Sequence, residues 1–212
     1  MSNKAIKCGV DFGSFGLKFS WLGEFGGAHL MARRYVLRGS MEITKADIGH
    51  AELFKNYAED CVQEGLELYD EAKLDSHAYL KKRIAYSEGK ELPAGWAPIS
   101  TYFYIESGII CGSIRFRHGT NEYIENVIGH IGYDTLARAR GRGVATKMLR
   151  WIVNNIIEHR VIITCDEDNT ASSKVIEKCG GESLSTFYCE DEQRNVLRYQ
   201  LERTSKIAQS DS

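Results

Sequence analysis

The sequence predicts an α/β (α+β) fold with a mixed central β-sheet flanked by helices. Three observations carry that prediction. Residues 128–145, IGHIGYDTLARARGRGVA, open with the β-prone Ile128, Ile131 and Tyr133, pass through a basic glycine turn, and lead into a periodic apolar run. In that run Ala145, Met148, Leu149, Ile152, Val153, Ile156 and Ile157 recur at spacings of three and four, which gathers them on one helical face. Residues 161–165, VIITC, are then a short β-branched run between charged neighbours. Strand, helix, strand is a crossover unit, so the two strands are expected to run parallel with a right-handed connection. The glycine turn falls at the carboxyl end of the first strand and the amino end of the helix.

The other elements follow in chain order. Residues 1–40 are rich in glycine and aromatics (Phe12, Phe15, Phe19, Trp21, Phe25) without a clean period, and are read as an N-terminal extension of open status. Residues 9–18 faintly look like the first phosphate loop of actin-like ATPases, a fold that needs a much longer chain than these 212 residues. The main domain is expected over residues 41–203 and a polar tail over 204–212. Thr44, with Asp47 three residues on, is a plausible helix cap, and Ile48, Leu53, Tyr57, Cys61 and Leu66 fall along one face of a first helix. A second helix starts near Asp75 and carries Tyr79, Leu80 and Ile84; residues 64–75 between them are acidic. Residues 89–100 hold Pro93 and Pro98 and read as a connecting loop. Residues 102–106 and 109–116 read as strands joined at Ser107-Gly108, a hairpin signal. A polar loop with His118 and Asn121 then leads to the strand of the crossover unit. Beyond that unit Asn169 caps a short helix with Val175 and Ile176 on its buried side, ending at Gly180-Gly181. Two last strands are expected at residues 183–189 and 196–201.

Composition bounds the function. A net charge of -2 argues against a general nucleic-acid binder. The six cysteines, Cys8, Cys61, Cys111, Cys165, Cys179 and Cys189, show neither a CxxC pair nor metal-ligand spacing, so they read as free thiols in a reducing compartment with no metal site. No apolar run reaches the ~18 residues needed to span a membrane, and residues 1–7 lack the apolar core that would follow in a secretory signal. A cytoplasmic protein is the simplest expectation.

The glycine turn has a physical use. Gly141 and Gly143 allow positive φ and close approach of a ligand, and the first-turn amides of a helix lack internal partners. With the positive end of the helix dipole they make a site for a phosphate or pyrophosphate, rimmed by Arg138, Arg140 and Arg142. The alternative is a tight turn with solvated arginines. Val144 and Ala145 stand where a kinase-type P-loop needs Lys and then Ser or Thr, which argues against a nucleoside triphosphatase. A dinucleotide fingerprint needs a small residue where Thr146 stands, and a longer α/β array than the chain beyond residue 165 supplies.

The segment Arg138-Ala139-Arg140-Gly141-Arg142-Gly143 matches an acyl-CoA-binding signature: Arg or Gln, two residues, Gly, one residue, Gly or Ala. In this it resembles the GNAT superfamily of N-acetyltransferases. Residues 168–172 (DNTAS) and 175–181 (VIEKCGG) are similar to that superfamily's later Asn-x-Ala-Ser and Glu-Lys-x-Gly segments, in the right order and separation. A longer similarity over residues 41–201, including Leu92-Pro93, Gly95-Trp96, Arg117-His118 and residues 129–133, resembles a bacterial-type subgroup of predicted acetyltransferases without an assigned substrate.

The resemblance implies a sheet whose parallel strand pair splays around acyl-CoA, and transfer of the acetyl group of acetyl-CoA by direct attack of a primary amine of a small molecule or peptide. It implies that the pyrophosphate rests on the amides of Arg138, Arg140, Gly141, Arg142, Gly143, Val144 and Ala145. Pantetheine would pair with the backbone of Tyr133, Asp134, Thr135 and Leu136, a backbone amide there would steady the thioester oxygen, and Asn169 and Ser172 would contact the pantetheine side. Local helix capping is the alternative for these two. Lys174 is a candidate for a CoA phosphate. The acidic residues 64–75 would wall a cationic acceptor, or be a solvated loop. No nucleic acid, membrane or metal partner is implied, and a homodimer stays open. Two positions depart from the family. Ile176 stands where a tyrosine acid is frequent, and Tyr188 and Cys189 are substitutes without positional support. His130 stands where many relatives carry Glu, on the strand face opposite Ile131 and Tyr133, and is the candidate general base, against a structural histidine satisfying a buried hydrogen bond. A catalytically idle CoA-binding or scaffold protein of the same fold is the competing reading.

Overall fold

A computed structural model describes residues 40–203. The expectations for residues 1–39 and 204–212, including the phosphate-loop likeness and the polar tail, lie outside the described residues.

The first element is a strand, β1 (Met41–Lys45), so Thr44 is a strand residue rather than a helix cap. Asp47 supplies the cap: its carboxylate accepts from Gly49 N–H at 2.7 Å while His50 Nδ1 accepts from Asp47 N–H at 3.2 Å. This reciprocal pair starts a 3₁₀ turn (Ile48–His50) that runs into α1 (Ala51–Gln63). The tighter period of that turn takes Ile48 off the buried face, and it is 49% exposed. The buried face of α1 is instead Phe54, Tyr57, Ala58 and Cys61, with Leu66 buried just past the helix end. The acidic stretch is not a plain loop, because a 3₁₀ turn (Glu67–Tyr69) and α2 (Asp70–Leu74) lie within it. Asp75 then caps α3 (Ser76–Ser87), accepting from Ala78 N–H at 2.8 Å.

β2 (Ile99–Glu106) and β3 (Ile109–Arg117) form the expected hairpin, with positive φ at both Ser107 (54°) and Gly108 (72°), the backbone that matches strand twist in a two-residue turn. Residue 128 does not open the next strand. Residues Ile124–Ile128 close a π-helical turn, and β4 is Ile131–Thr135. Side chains from distant parts of the chain hold this turn: Thr164 Oγ1 donates to Val127 O at 2.9 Å, Arg198 Nε to Glu125 O at 2.9 Å, and Arg117 Nη1 to Gly129 O at 3.1 Å. Gly129 needs both its φ of 68° and its missing side chain, since a Cβ would lie 3.0 Å from Thr164 N. α4 (Val144–Asn155), β5 (Val161–Asp166) and α5 (Thr170–Lys178) complete the crossover and the following helix. The expected single strand at residues 183–189 is two short ones, β6 (Glu182–Ser183) and β7 (Phe187–Cys189), both paired to β8 (Arg194–Leu201).

The sheet is mixed, in the order β1-β2-β3-β4-β5-β8-β6 with β7 also on β8. Only β4 and β5 are parallel, and they share a single register pair, Ile131 with Ile163. Beyond it their carboxyl ends part. Helices cover both faces. On one, Phe54 of α1 stacks on Phe103 of β2 (5.7 Å between centroids) and on Tyr79 of α3. On the other, Tyr102 meets Trp151 of α4, and Lys147 lies over Tyr104. The period-two alternation of β2 thus reads straight into the two layers. Removing the Phe54 ring from this stack would cost about 3–5 kcal/mol.

Candidate active site

Where β4 and β5 part, the glycine turn and α4 form the floor of a cavity. Gly143 precedes α4 with φ 77° and no side chain caps the helix, so its first-turn amides are left facing outward. The first internal bond runs from Lys147 N–H to Gly143 O at 2.9 Å. Gly141 has φ 73°, and a Cβ at either glycine would meet nothing within 4 Å, because both border open space. That space is a cavity of about 280 Å³ between β4, the turn, the start of α4 and one side of α5. It collects Tyr133, Thr135, Arg140, Gly141, Gly143, Val144, Ala145 and Ser172 from the residues expected to bind the cofactor. Lys174 also lines it, with Thr146, Ala171, Val175 and Lys178, none of which sequence reasoning assigned to the cofactor apart from Lys174. Lys178 was within reach of that reasoning, being one helical turn beyond Lys174 on the same face.

The cavity does not collect the side chains of Asp134, Leu136, Arg138, Arg142 and Asn169. Leu136 is fully buried. Asn169 Oδ1 accepts from Ser172 N–H at 3.1 Å and caps α5. The three arginines of the turn each meet a carboxylate: Arg138 meets Asp60 at 2.6 Å, Arg140 meets Glu64 at 2.9 Å, and Arg142 meets Glu106. Glu64 also accepts from Ala137 N–H at 2.8 Å, which ties the acidic end of α1 to the glycine turn. No spacing rule links these acids to arginines so far along the chain.

Asp134 points to the opposite face. Its carboxylate accepts from Tyr57 OH and from Tyr69 OH (3.0 Å) and pairs with Arg115 Nη1 at 2.7 Å. Burial, reinforced by the Asp134 charge, pushes the phenols of Tyr57 and Tyr69 well above their ordinary range. Cys61 is neutral as well, since burial and the same carboxylate push its thiol up.

His130 lies at the closed end of the splay, one residue before β4. Its backbone N–H donates to Ile162 O at 2.7 Å, and its ring Nδ1 lies 3.0 Å from Ile162 N and 3.3 Å from Ile162 O, accepting from the one or donating to the other according to the tautomer. Nε2 faces Glu125 of the π-helical turn at 4.0 Å. Desolvation holds its pKa below the ordinary imidazole value, against the pull of Glu125 and Ile162. Ile176 is fully buried.

Cys61, Cys111, Cys165, Cys179 and Cys189 are free thiols. Among the described residues no group of three or more His, Cys, Asp or Glu could hold a metal ion, and no helix is long and apolar enough to cross a membrane.

A mixed sheet opened between two parallel strands, over an uncapped helix start and a glycine turn, offers a cleft with an anion site at its floor. Residues 42–182 match the family described as acetyltransferase (GNAT) domain, and the chain belongs to that family. No curated protein matches it. Among solved structures it is similar to a ribosomal L7/L12 alpha-N-protein acetyltransferase in complex with coenzyme A, at 15% identity over 77% of this chain and 94% of that one, with a TM-score of 0.57. It is also similar to the microcin C7 self-immunity acetyltransferase MccE in complex with acetyl-CoA and AMP, at 17% identity over 75% and 91%, with a TM-score of 0.54. A ribosomal-protein-S5-alanine acetyltransferase from Vibrio fischeri is similar at 12% identity over 78% and 94%, with a TM-score of 0.56. These likenesses establish the fold.

Proposed function

We propose that this protein is a cytoplasmic N-acetyltransferase that moves the acetyl group of acetyl-CoA to a primary amine of a small molecule or peptide. The observation that carries the proposal is the Ser172 hydroxyl. Ser172 is fully buried, its Oγ has no hydrogen-bond partner among the described residues, and it borders the same cavity as the first-turn amides of α4. A buried polar group of this kind is costly unless a ligand satisfies it. Amides suited to a pyrophosphate and a hydroxyl suited to an amide-bearing arm fit acyl-CoA.

Each residue then has a task. The amides from Gly141 to Ala145 hold the pyrophosphate, and Lys174 and Lys178 add positive charge on the α5 side. The backbone of residues 133–136, turned toward the gap left by β5, pairs with the pantetheine arm and offers a donor to the thioester oxygen. Acetyl-CoA supplies an activated acyl group on a thiol leaving group. His130, at the closed end of the gap, takes part in removing the proton that an ammonium must lose before its nitrogen can attack. A peptide or small-molecule acceptor fits the structural neighbours, which include acetyltransferases of ribosomal proteins and a self-immunity acetyltransferase. The functional domain is residues 41–203.

Ile176 favours a second reading, a CoA-binding protein without turnover, since a buried isoleucine cannot protonate the leaving thiol. The deciding experiment measures thiol release from acetyl-CoA over a panel of amines, polyamines, aminoglycosides and peptides, alongside calorimetry of acetyl-CoA binding. Binding with amine-dependent thiol release is the expected result. Binding without release by any amine would establish the second reading, and absence of binding would overturn both.

A further inference from the structure

The Ile162 backbone engages one ring nitrogen of His130 and leaves the other facing Glu125. Nδ1 lies 3.0 Å from Ile162 N and 3.3 Å from Ile162 O, so it accepts from that N–H in one neutral tautomer and donates to that carbonyl in the other. Nε2 faces Glu125 Oε1 at 4.0 Å. In the tautomer that accepts from the Ile162 N–H, the hydrogen sits on Nε2 and a second group must receive the proton of the ammonium.

We propose that Glu125 is that group, so that the Glu125 carboxylate and the His130 imidazole form one proton-accepting pair. The inference rests on the acetyl-transfer reading above and adds a residue that none of the acyl-CoA chemistry requires. Three features support it. Glu125 lies in a π-helical turn, a costly local conformation that recurs at functional sites. This turn is held rigidly, with Arg198 on the Glu125 carbonyl, Thr164 on Val127 and Arg117 on Gly129. The Glu125 side chain spans two environments, facing the buried ring on one side while 35% of it stays open to water, with Thr120 Oγ1 donating to Oε1 at 2.5 Å. A proton received by this carboxylate can therefore leave to solvent.

The step balances simply. An N–H bond of the acceptor ammonium breaks, its electron pair stays on nitrogen, and the proton passes to the Glu125 carboxylate. The Nε2–H of His130 orients that carboxylate and shares its charge, while Nδ1 stays on Ile162. The charged groups facing the ring are Glu125 from the turn, which favours its protonation, and Arg117 from β3, which opposes it.

The test has two arms on the full-length chain. Nitrogen-15 NMR of the histidine rings reads the tautomer and titration of His130 in the wild type and in Glu125→Gln. The expected result is an Nε2–H tautomer and a His130 titration displaced to lower pH by the substitution; an Nδ1–H tautomer or an unmoved titration overturns the proposal. Steady-state kinetics uses acetyl-CoA and the panel amine that gives the most thiol release. Glu125→Gln should lower kcat/KM at least about tenfold with the acetyl-CoA KM unchanged. Glu125→Asp should restore part of the rate, and Glu125→Gln combined with His130→Ala should be no slower than the worse single variant. Normal turnover in Glu125→Gln beside a slow His130→Ala removes Glu125 and leaves His130 as base. Normal turnover in both removes the role of His130 itself.

Discussion

Arg115 Nη1 lies 2.7 Å from Asp134 Oδ2, and each of the two side chains is 4% exposed. The pair joins β3 to β4 beside the strand gap, and Tyr57 and Tyr69 bring α1 and the turn after it onto the same carboxylate. An ion pair this dry adds little net stability when intact, but breaking it leaves a buried charge uncompensated. Asp134→Asn should therefore cost about 3–5 kcal/mol in urea unfolding. An unchanged midpoint would show that the network is dispensable. The two phenols add a pH signature. Their folded pKa values are raised, so the unfolded chain loses these protons first, and stability should hold below pH ~10 and fall as pH rises beyond it.

The glycine turn offers a cleaner separation of binding from folding. Gly141 and Gly143 hold positive φ and border the cavity, so Val at both positions strains the backbone by roughly 1–3 kcal/mol each and fills the approach to the α4 amides. Calorimetry on the folded double variant should show acetyl-CoA affinity reduced by more than about tenfold. Unchanged affinity would move the cofactor elsewhere.

Ser172→Ala should part stability from affinity in the other direction. Deleting a buried hydroxyl that has no partner removes a desolvation cost, so the melting temperature should hold or rise. Acetyl-CoA binding should weaken by the value of one hydrogen bond, about 0.5–1.5 kcal/mol or roughly 2- to 13-fold. A large loss of stability with normal binding would refute the contact.

His130→Ala should lower kcat/KM by at least about tenfold while acetyl-CoA binding stays near the wild-type value. Because the folded pKa of His130 is depressed, the acidic limb of the wild-type rate profile should fall below pH ~6.5. The same shift means that stability from this site is complete above pH ~6.5 and is lost as pH falls through the lower folded value. A variant with wild-type turnover and an unchanged profile would exclude the imidazole.

A chain starting at Met41 should fold and bind acetyl-CoA much as the full chain does. Met41 already pairs with Glu106 as part of β1, and the first aromatic of the described core is Phe54. Insolubility, or melting more than about 10 °C lower, would bring residues 1–40 into the core.

Features set by neighbours in the chain were legible in the sequence. The α4 face from Met148 to Val153 and the Ser107-Gly108 turn are local, because period and backbone preference are properties of a few adjacent residues. The glycine turn before α4 was legible for the same reason. Features fixed by distant partners were not. The π-helical turn depends on Thr164, Arg198 and Arg117, and no propensity of residues 124–128 specifies it. β1 was missed because a short edge strand with a half-exposed pattern carries no strong period, and Thr44 mimicked a cap. Asp134 was expected beside pantetheine through its backbone; strand alternation from Tyr133 turns its side chain to the other face, while its three side-chain partners were invisible in the local sequence.

The single register pair between Ile131 and Ile163, with the His130–Ile162 and Thr164–Val127 bonds on its near side, makes the sheet two leaves sewn along one short seam. One leaf runs from β1 to β4 and the other holds β5 to β8, each laddered internally by antiparallel strands. Their facing edges beyond the seam carry backbone donors and acceptors that neither leaf can satisfy for the other. A ligand that binds both edges acts as mortar, so filling the gap should make the two halves of the molecule unfold more nearly as one.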